Sequence, residues 1–339
     1  MVTHKGIAAS VGALLLALAP GCHQVTEYTD SGEFGVVVLS SWDLSMEGYI
    51  AGVDGARTLC PTGKSSFPVG CTSGRVYEVS SEGMEVLDVY QIAAGAGAGL
   101  DCMTRSPSAY SAYMTGGGGK ILEMELDGYS VVDEFSCGSS PVDICRSPSG
   151  SARIYILDSG NECIREVWSS SNSQGWTLGV AESPMAVAGA LDQPEVLVTT
   201  HGDQGGVQLH NLDYGFSSEI LSAEYGPFSA VAAAPRDSLC LVAAPEWQGQ
   251  QGRIYLLRVG EAEANLLDSK QLEGHPVRIC GDPSQGPPYF YIACVDGEYT
   301  RIYAYSIINQ QIELSAELEG YPWEMSTNLD DHLIVLTSL

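Results

Sequence analysis

The chain has 339 residues, enough to bury a sizeable core in one or two domains. Lys and Arg total 15 against 42 Asp and Glu, for a net charge of −27. Such a surface repels phosphate backbones, which argues against nucleic acid and for cationic partners.

The chain opens with MVTHKGIAASVGALLLALAPGCHQ. Lys5 supplies a positive start and residues 7–19 an apolar run too short to cross a bilayer, the pattern of a signal peptide. The Ala-Pro-Gly-Cys that follows at 19–22 resembles the lipobox of bacterial lipoproteins, with Ala19 where Leu is usual and Pro20 a second departure. The resemblance implies cleavage before Cys22, a lipid on its sulfur, and, with His23 rather than Asp next, the outer membrane of a cell that has one. The other reading is ordinary secretory cleavage that leaves a spare thiol. The expected organisation is a signal peptide over 1–21, a tether over 22–33 and a single domain over 34–339. Cleavage removes one base and no acid, so the mature charge is −28, from 14 bases and 42 acids. The 11 residues between Cys22 and Phe34, at roughly 3.3–3.6 Å each, hold the domain within about 40 Å of any lipid.

From Gly35 onward the chain repeats itself. A turn residue followed by a β-rich pentad recurs as GVVVLS at Gly35, GRVYEV at Gly74, GKILEM at Gly119, ECIREV at Glu162, GVQLHN at Gly206, GRIYLL at Gly252 and TRIYAY at Thr300. The copies stand 39 to 48 residues apart, the spacing of four-stranded propeller blades. Each pentad is β-branched, aromatic or leucine-rich, as strands prefer. Before it lies another strand, such as RIYILD or LCLVAA. Before that lies an innermost strand often opened by proline: PVDIC, PMAVA, PFSAV, PVRIC and PWEMS. An outer strand such as SVVDEF or IELSAEL follows. Tight-turn residues separate the runs, and no helical period is sustained. The chain ends on the second strand of a repeat, and the Gly35 pentad has no strands before it. The simplest closure lets Phe34–Ser40 complete the sheet begun by 322–339, which leaves no open edge. The expectation is an all-β, seven-bladed β-propeller whose last blade combines the N-terminal strand with the C-terminal ones.

The stretch SPSGSARIYILDSGNECIREV then resembles the YVTN family of surface β-propellers. Ser147-Pro148-Ser149-Gly150 and Ile154-Tyr155-Ile156 carry the match, although the YVTN tetrapeptide itself is absent. The likeness is sharp in this blade, weaker around Gly252 and Thr300, and extends as a repeat pattern over about 300 residues. It implies a seven-bladed protein of the cell envelope and little chemistry, since propellers host enzymes and scaffolds alike.

Innermost strands line a propeller's channel. Their third positions read Arg57, Asp101, Asp143, Ala186, Ser229, Arg278 and Glu324, between mostly apolar neighbours. Five charges, Arg57, Asp101, Asp143, Arg278 and Glu324, are therefore candidates for a channel site. Either they neutralise one another across a wet pore, or they form a pocket for a charged small molecule or a cation.

Other chemistry is sparse. His201 and His210 near Asp203 suggest a metal site or, more simply, a solvated blade loop. Asp330-Asp331-His332 suggests a cation site or, more simply, a hairpin tip, GAGAGL at 95–100 lacks the helix a nucleotide loop needs, and GGGG at 116–119 reads as a turn. Trp247 is a candidate partner contact on a loop. Cys137 and Cys163 fall at one end of a blade and are the best disulfide candidates. Cys102, Cys145, Cys240 and Cys280 sit in strands as small apolar residues. No catalytic, cofactor or metal motif is recognisable, and no cofactor is expected.

Two functions stand open. One is a monomeric, membrane-anchored envelope lipoprotein that binds a protein, peptide or glycan. The other is a propeller enzyme, a lactonase-like hydrolase or quinoprotein-like dehydrogenase, that uses the channel. Arg57 and Arg278 would repel the cation a lactonase needs, and five scattered Trp lack the quinoprotein repeat.

Overall fold

The computed structural model describes residues 34–338 apart from 61, 63–65, 93–98, 107–109, 117, 203–205, 247–250, 282–286 and 328–330. Residues 1–33, where a signal peptide and a tether with Cys22 are expected, and Asp203, Trp247 and Asp330 lie outside the described residues.

Seven four-stranded antiparallel sheets account for the described chain, with only two short 3-10 turns, Ala223–Tyr225 and Pro235–Asp237. Blades 1 to 6 occupy residues 56–91, 100–136, 141–179, 184–221, 230–271 and 275–319. Their innermost strands are Ala56–Leu59, Leu100–Arg105, Pro141–Arg146, Pro184–Leu191, Ala230–Ala234 and His275–Cys280. Blade 7 joins Tyr321–Thr327 and His332–Ser338 to Phe34–Ser40 and Met46–Ala51. Each innermost strand touches the next, and Tyr321–Thr327 returns to Ala56–Leu59, so the ring closes.

The closure is the one the repeats predict. Phe34–Ser40 pairs antiparallel with the last strand, from Phe34 opposite Ser338 to Ser40 opposite His332. The strand is buried nearly throughout because blades cover both of its faces. Val36 and Val38 pack toward blade 1, and Val37 and Leu39 toward blade 6, as the two-residue period of a strand requires. Gly35 lies against the Tyr49 ring, where a Cβ would come within 2.3 Å of ring atoms.

The same division of labour recurs round the molecule. Seven apolar clusters each fill one interface between neighbouring blades. Second and third strands are buried on both faces, while outermost strands such as Gln311–Glu319 alternate between exposed and sheltered. Turns between first and second strands, and between third and fourth, share one face of the ring. Phe34 begins a third strand, so the chain enters on the opposite face.

Candidate functional site

The innermost strands carry a feature absent from the repeat pattern. Their pairing skips one residue between Pro141 and Asp143, Pro184 and Ala186, Pro276 and Arg278, and Pro322 and Glu324. This is a β-bulge, which re-aims the side chains that follow it. In blade 1 the skip falls between Ala56 and Thr58, so Arg57 is the extra residue and Thr58 takes the place of Asp143. In blade 2 it falls between Leu100 and Met103. There Cys102 N–H donates to the Thr115 hydroxyl at 3.0 Å, which makes Asp101 the extra residue and puts Cys102 in register with Asp143.

The five candidate charges therefore divide. Asp143, Arg278 and Glu324 share one register and one electrostatic neighbourhood. Arg57 and Asp101 do not share that register. The Arg57 guanidinium lies 3.5 Å from the centroid of the Trp323 ring and 5.6 Å from that of Phe34, stacked across the junction of blades 7 and 1. Asp101 is exposed, yet its charge still reaches the Cys102 thiol.

Each of the converging groups reaches the backbone of a neighbouring blade or of its own strand. The Cys102 thiol donates to the Val142 carbonyl at 2.9 Å. Asp143 accepts the Val187 N–H of blade 4 and the Ile144 N–H, both at 2.8 Å. The Ser229 hydroxyl donates to Pro276 O at 3.0 Å. Arg278 Nε donates to Trp323 O at 2.7 Å and its Nη1 to Val277 O at 2.9 Å. Glu324 accepts the Met325 N–H at 3.0 Å. Among the described residues no ion pair joins Asp143, Arg278 and Glu324, so these three do not neutralise one another by contact.

The electrostatics follow from that geometry. Burial, opposed by its two backbone N–H partners, pushes Asp143 up to about 7, with Glu324 raising it further and Arg278 lowering it. Burial also raises Glu324, against the pull of Arg278. The Cys102 thiol is held well above its ordinary value by burial and by Asp143, Glu324 and Asp101. It stays protonated and is no activated nucleophile. The cluster thus offers two carboxyl groups that burial raises, Asp143 to about 7, one arginine committed to carbonyls, and an inert thiol.

The other sequence candidates resolve differently. His201 and His210 are fully buried in strands of blade 4, not in a solvated loop. Thr199 Oγ1 stands 2.7 Å from His201 Nε2 and 2.8 Å from His210 Nε2. His201 Nδ1 faces the Glu182 carbonyl at 3.2 Å, and His210 Nδ1 meets Ser217 Oγ at 2.8 Å. A carbonyl only accepts, so the direction is fixed: Ser217 donates to His210, His210 to Thr199, Thr199 to His201 and His201 to Glu182. Both rings are neutral in this chain, and burial lowers both, His210 to about 3.

Among the described residues no group of three His, Cys, Asp or Glu is placed to hold a metal. His332 lies 2.9 Å from Glu47, and Asp331 O accepts both the N–H and the hydroxyl of Ser41. Gly118 and Gly119 form a turn, where a Cβ on Gly119 would lie 2.1 Å from Gly138 O. Cys137 and Cys163 are buried thiols near enough to influence each other, and the nine described cysteines are unpaired, so the expected disulfide is not made.

No protein family's sequence profile matches the chain, and no curated protein matches it. Solved structures do. The WD40 repeats of RRP9 superpose with a TM-score of 0.66 at 12% identity over 84% of this chain and 94% of that one. U3-55K gives 0.66 at 13% over 84% and 95%. Hydrazine synthase of Kuenenia stuttgartiensis gives 0.67 at 14% over 84% and 95%. At such identity the likeness concerns the fold alone, and it agrees with the closed ring of seven four-stranded blades: the chain is a seven-bladed β-propeller.

Proposed function

We propose that the chain is a cell-envelope lipoprotein, anchored through a lipid on Cys22, whose propeller binds a polypeptide or glycan on one face. The observation that carries the binding reading is the placement of large exposed apolar side chains. Trp42, Tyr110, Trp168, Tyr214 and Ile308 come from blades 7, 2, 3, 4 and 6 and all lie in or beside turns of one face. Aromatic residues are the anchors of recognition surfaces. With a tether that enters at Phe34 on the opposite face, this aromatic face would point away from the membrane.

A photo-crosslinking residue at Tyr214, compared with one at Tyr299 on the opposite face, tests the reading. Adducts formed from Tyr214 and not from Tyr299 support it, and adducts from Tyr299 alone sink it. Loss of fatty-acid labelling in Cys22→Ser checks the anchor; labelling that persists removes it. A second reading, an enzyme that works in the channel, rests on Asp143, whose carboxyl titrates near neutrality as a general base does. An Asp143→Asn variant that abolishes turnover in a lactone-hydrolysis screen would favour it over the scaffold.

A further inference from the structure

Between blades 1 and 2 the aromatic face opens into a cavity of about 320 Å³, at the small end of ligand pockets. Thr62 and Ser66 line it from blade 1, with Glu78 and Tyr90 deeper on the same sheet. The turn 126–129 of blade 2 closes the other side. Tyr90 and Tyr129 stack with ring centroids 4.7 Å apart and planes 14° apart. The Glu78 carboxylate accepts the Ser66 hydroxyl at 3.1 Å and the Tyr90 hydroxyl at 3.5 Å. Both donors are neutral, so they orient the carboxylate and leave its charge in place. Burial first, then the charges of Asp88 and Glu78, raise Tyr90; burial first, then Glu78, raises Tyr129, so both phenols stay protonated beside the carboxylate.

The surroundings continue the pattern. The seven turns between third and fourth strands contain acids in blades 1, 2, 4, 5 and 7, among them Glu82, Asp127 and Asp213, and not one lysine or arginine. A carboxylate beside stacked aromatic rings, in a narrow cavity on an acidic and aromatic face, is the chemistry that receives a cation on an apolar stem.

We propose that this cavity is a subsite for a lysine or arginine side chain of a polypeptide partner that docks on the aromatic face. The proposal deepens the scaffold reading and rests on it. It names the partner's chemistry as basic, and the residue that reads it as Glu78.

Binding of a fluorescein-labelled pentalysine peptide, followed by anisotropy at about 0.15 M salt, where the diffuse surface charge is largely screened, tests it. The wild-type chain from His23 should bind pentalysine and not pentaglutamate. Glu78→Gln keeps the shape and the hydrogen-bonding oxygen and should weaken binding about tenfold or more. Tyr90→Leu, on an outer strand, should weaken it by a smaller factor while Glu78 remains. Glu298→Gln, an exposed acid on the opposite face, should change it less than about twofold. Lys64, which lies outside the described residues, stands two positions from Thr62 and from Ser66, so Lys64→Ala is the remaining arm. Binding unaltered by Lys64→Ala supports a partner's cation. Binding that appears only in Lys64→Ala shows that the cavity holds the chain's own lysine and overturns the proposal. Equal loss in Glu78→Gln and Glu298→Gln, or no binding to the wild type, also overturns it. If Tyr214 crosslinks a partner while Glu78→Gln has no effect, the cavity assignment fails and the scaffold reading stands. If neither gives a signal, both fail.

Discussion

The propeller buries the same trio of charges twice, and resolves it in opposite ways. At the junction of blades 3 and 4, Arg153 bridges Glu166, at 3.2 Å, and Glu195, while the Ser147 hydroxyl donates to Glu195. Both carboxylates are almost wholly buried and the arginine is spent on them. In the channel, Arg278 turns from Asp143 and Glu324 toward the Trp323 and Val277 carbonyls, and the acids accept only backbone N–H groups. Two acids and one arginine are thus a closed structural clasp in one place and an unbalanced polar cluster in the other. Composition does not separate them. What separates them is where the guanidinium's donors point, and that depends on which carbonyls the bulge brings within reach.

Arg153→Met should give the largest effect. It leaves Glu166 and Glu195 buried without their cation and should cost roughly 3–5 kcal/mol, read from the denaturant midpoint. Arg278→Met removes the donors from two carbonyls and should cost about 1–2 kcal/mol. Costs in the reverse order would break the comparison.

Acid sharpens it. His210 is neutral in the fold, at about 3, while in the unfolded chain it takes a proton below about 6.5. Its contribution is complete above about pH 6.5 and is lost as pH falls toward 3, by at most about 1.4 kcal/mol per unit. His210→Gln should flatten that limb of a stability-against-pH curve. Asp143 has the opposite sign. Its carboxyl is raised to about 7, so the fold keeps a proton that the unfolded chain releases above about pH 4. Stability from this group is complete at low pH and falls as pH rises from about 4 to 7, again by at most about 1.4 kcal/mol per unit. Asp143→Asn should remove this second slope, and carbon NMR of the Asp143 carboxyl should show a midpoint near 7. A midpoint near 4 would mean that burial does not hold the channel acid protonated.

The smallest effect belongs to Arg57. Arg57→Gln removes the cation over Trp323 and should cost about 1 kcal/mol in thermal or chemical unfolding, with no change in the Asp143 midpoint. A shifted midpoint would restore Arg57 to the channel cluster.

Much of this was legible before any coordinates. Four of the five proline-opened strands, those of blades 3, 4, 6 and 7, share the skip after proline, and Asp143, Arg278 and Glu324 were found at one register for that reason. Blades 1 and 2 open with Ala56 and Leu100 in place of proline, and there the third-position rule selected Arg57 and Asp101, the extra residues of the bulge. Cys102 was read as a small apolar strand residue although it faces the channel acids. A strand that begins without proline, compared against the ladder register of its neighbours, is the signal that would have exposed it. The histidines misled in another way. His201 and His210 stand nine positions apart, a spacing that says nothing of two adjacent strands with a threonine between their rings. Glu166 and Glu78, in strands, and Glu195, in a turn, carried no signal, because an isolated acid reads as a solvated one.

The sequence by itself determined the number of blades, their order and the closure of the last by Phe34–Ser40. Those follow from local patterns repeated along the chain, and a strand's two-residue period leaves few ways to bury them. Tertiary structure alone decided which charges meet, which are paired and where a cavity remains. Those depend on a one-residue bulge, marked in the sequence only where a proline opens the strand, and on the packing of strands distant in sequence, which leaves no local trace in composition or spacing.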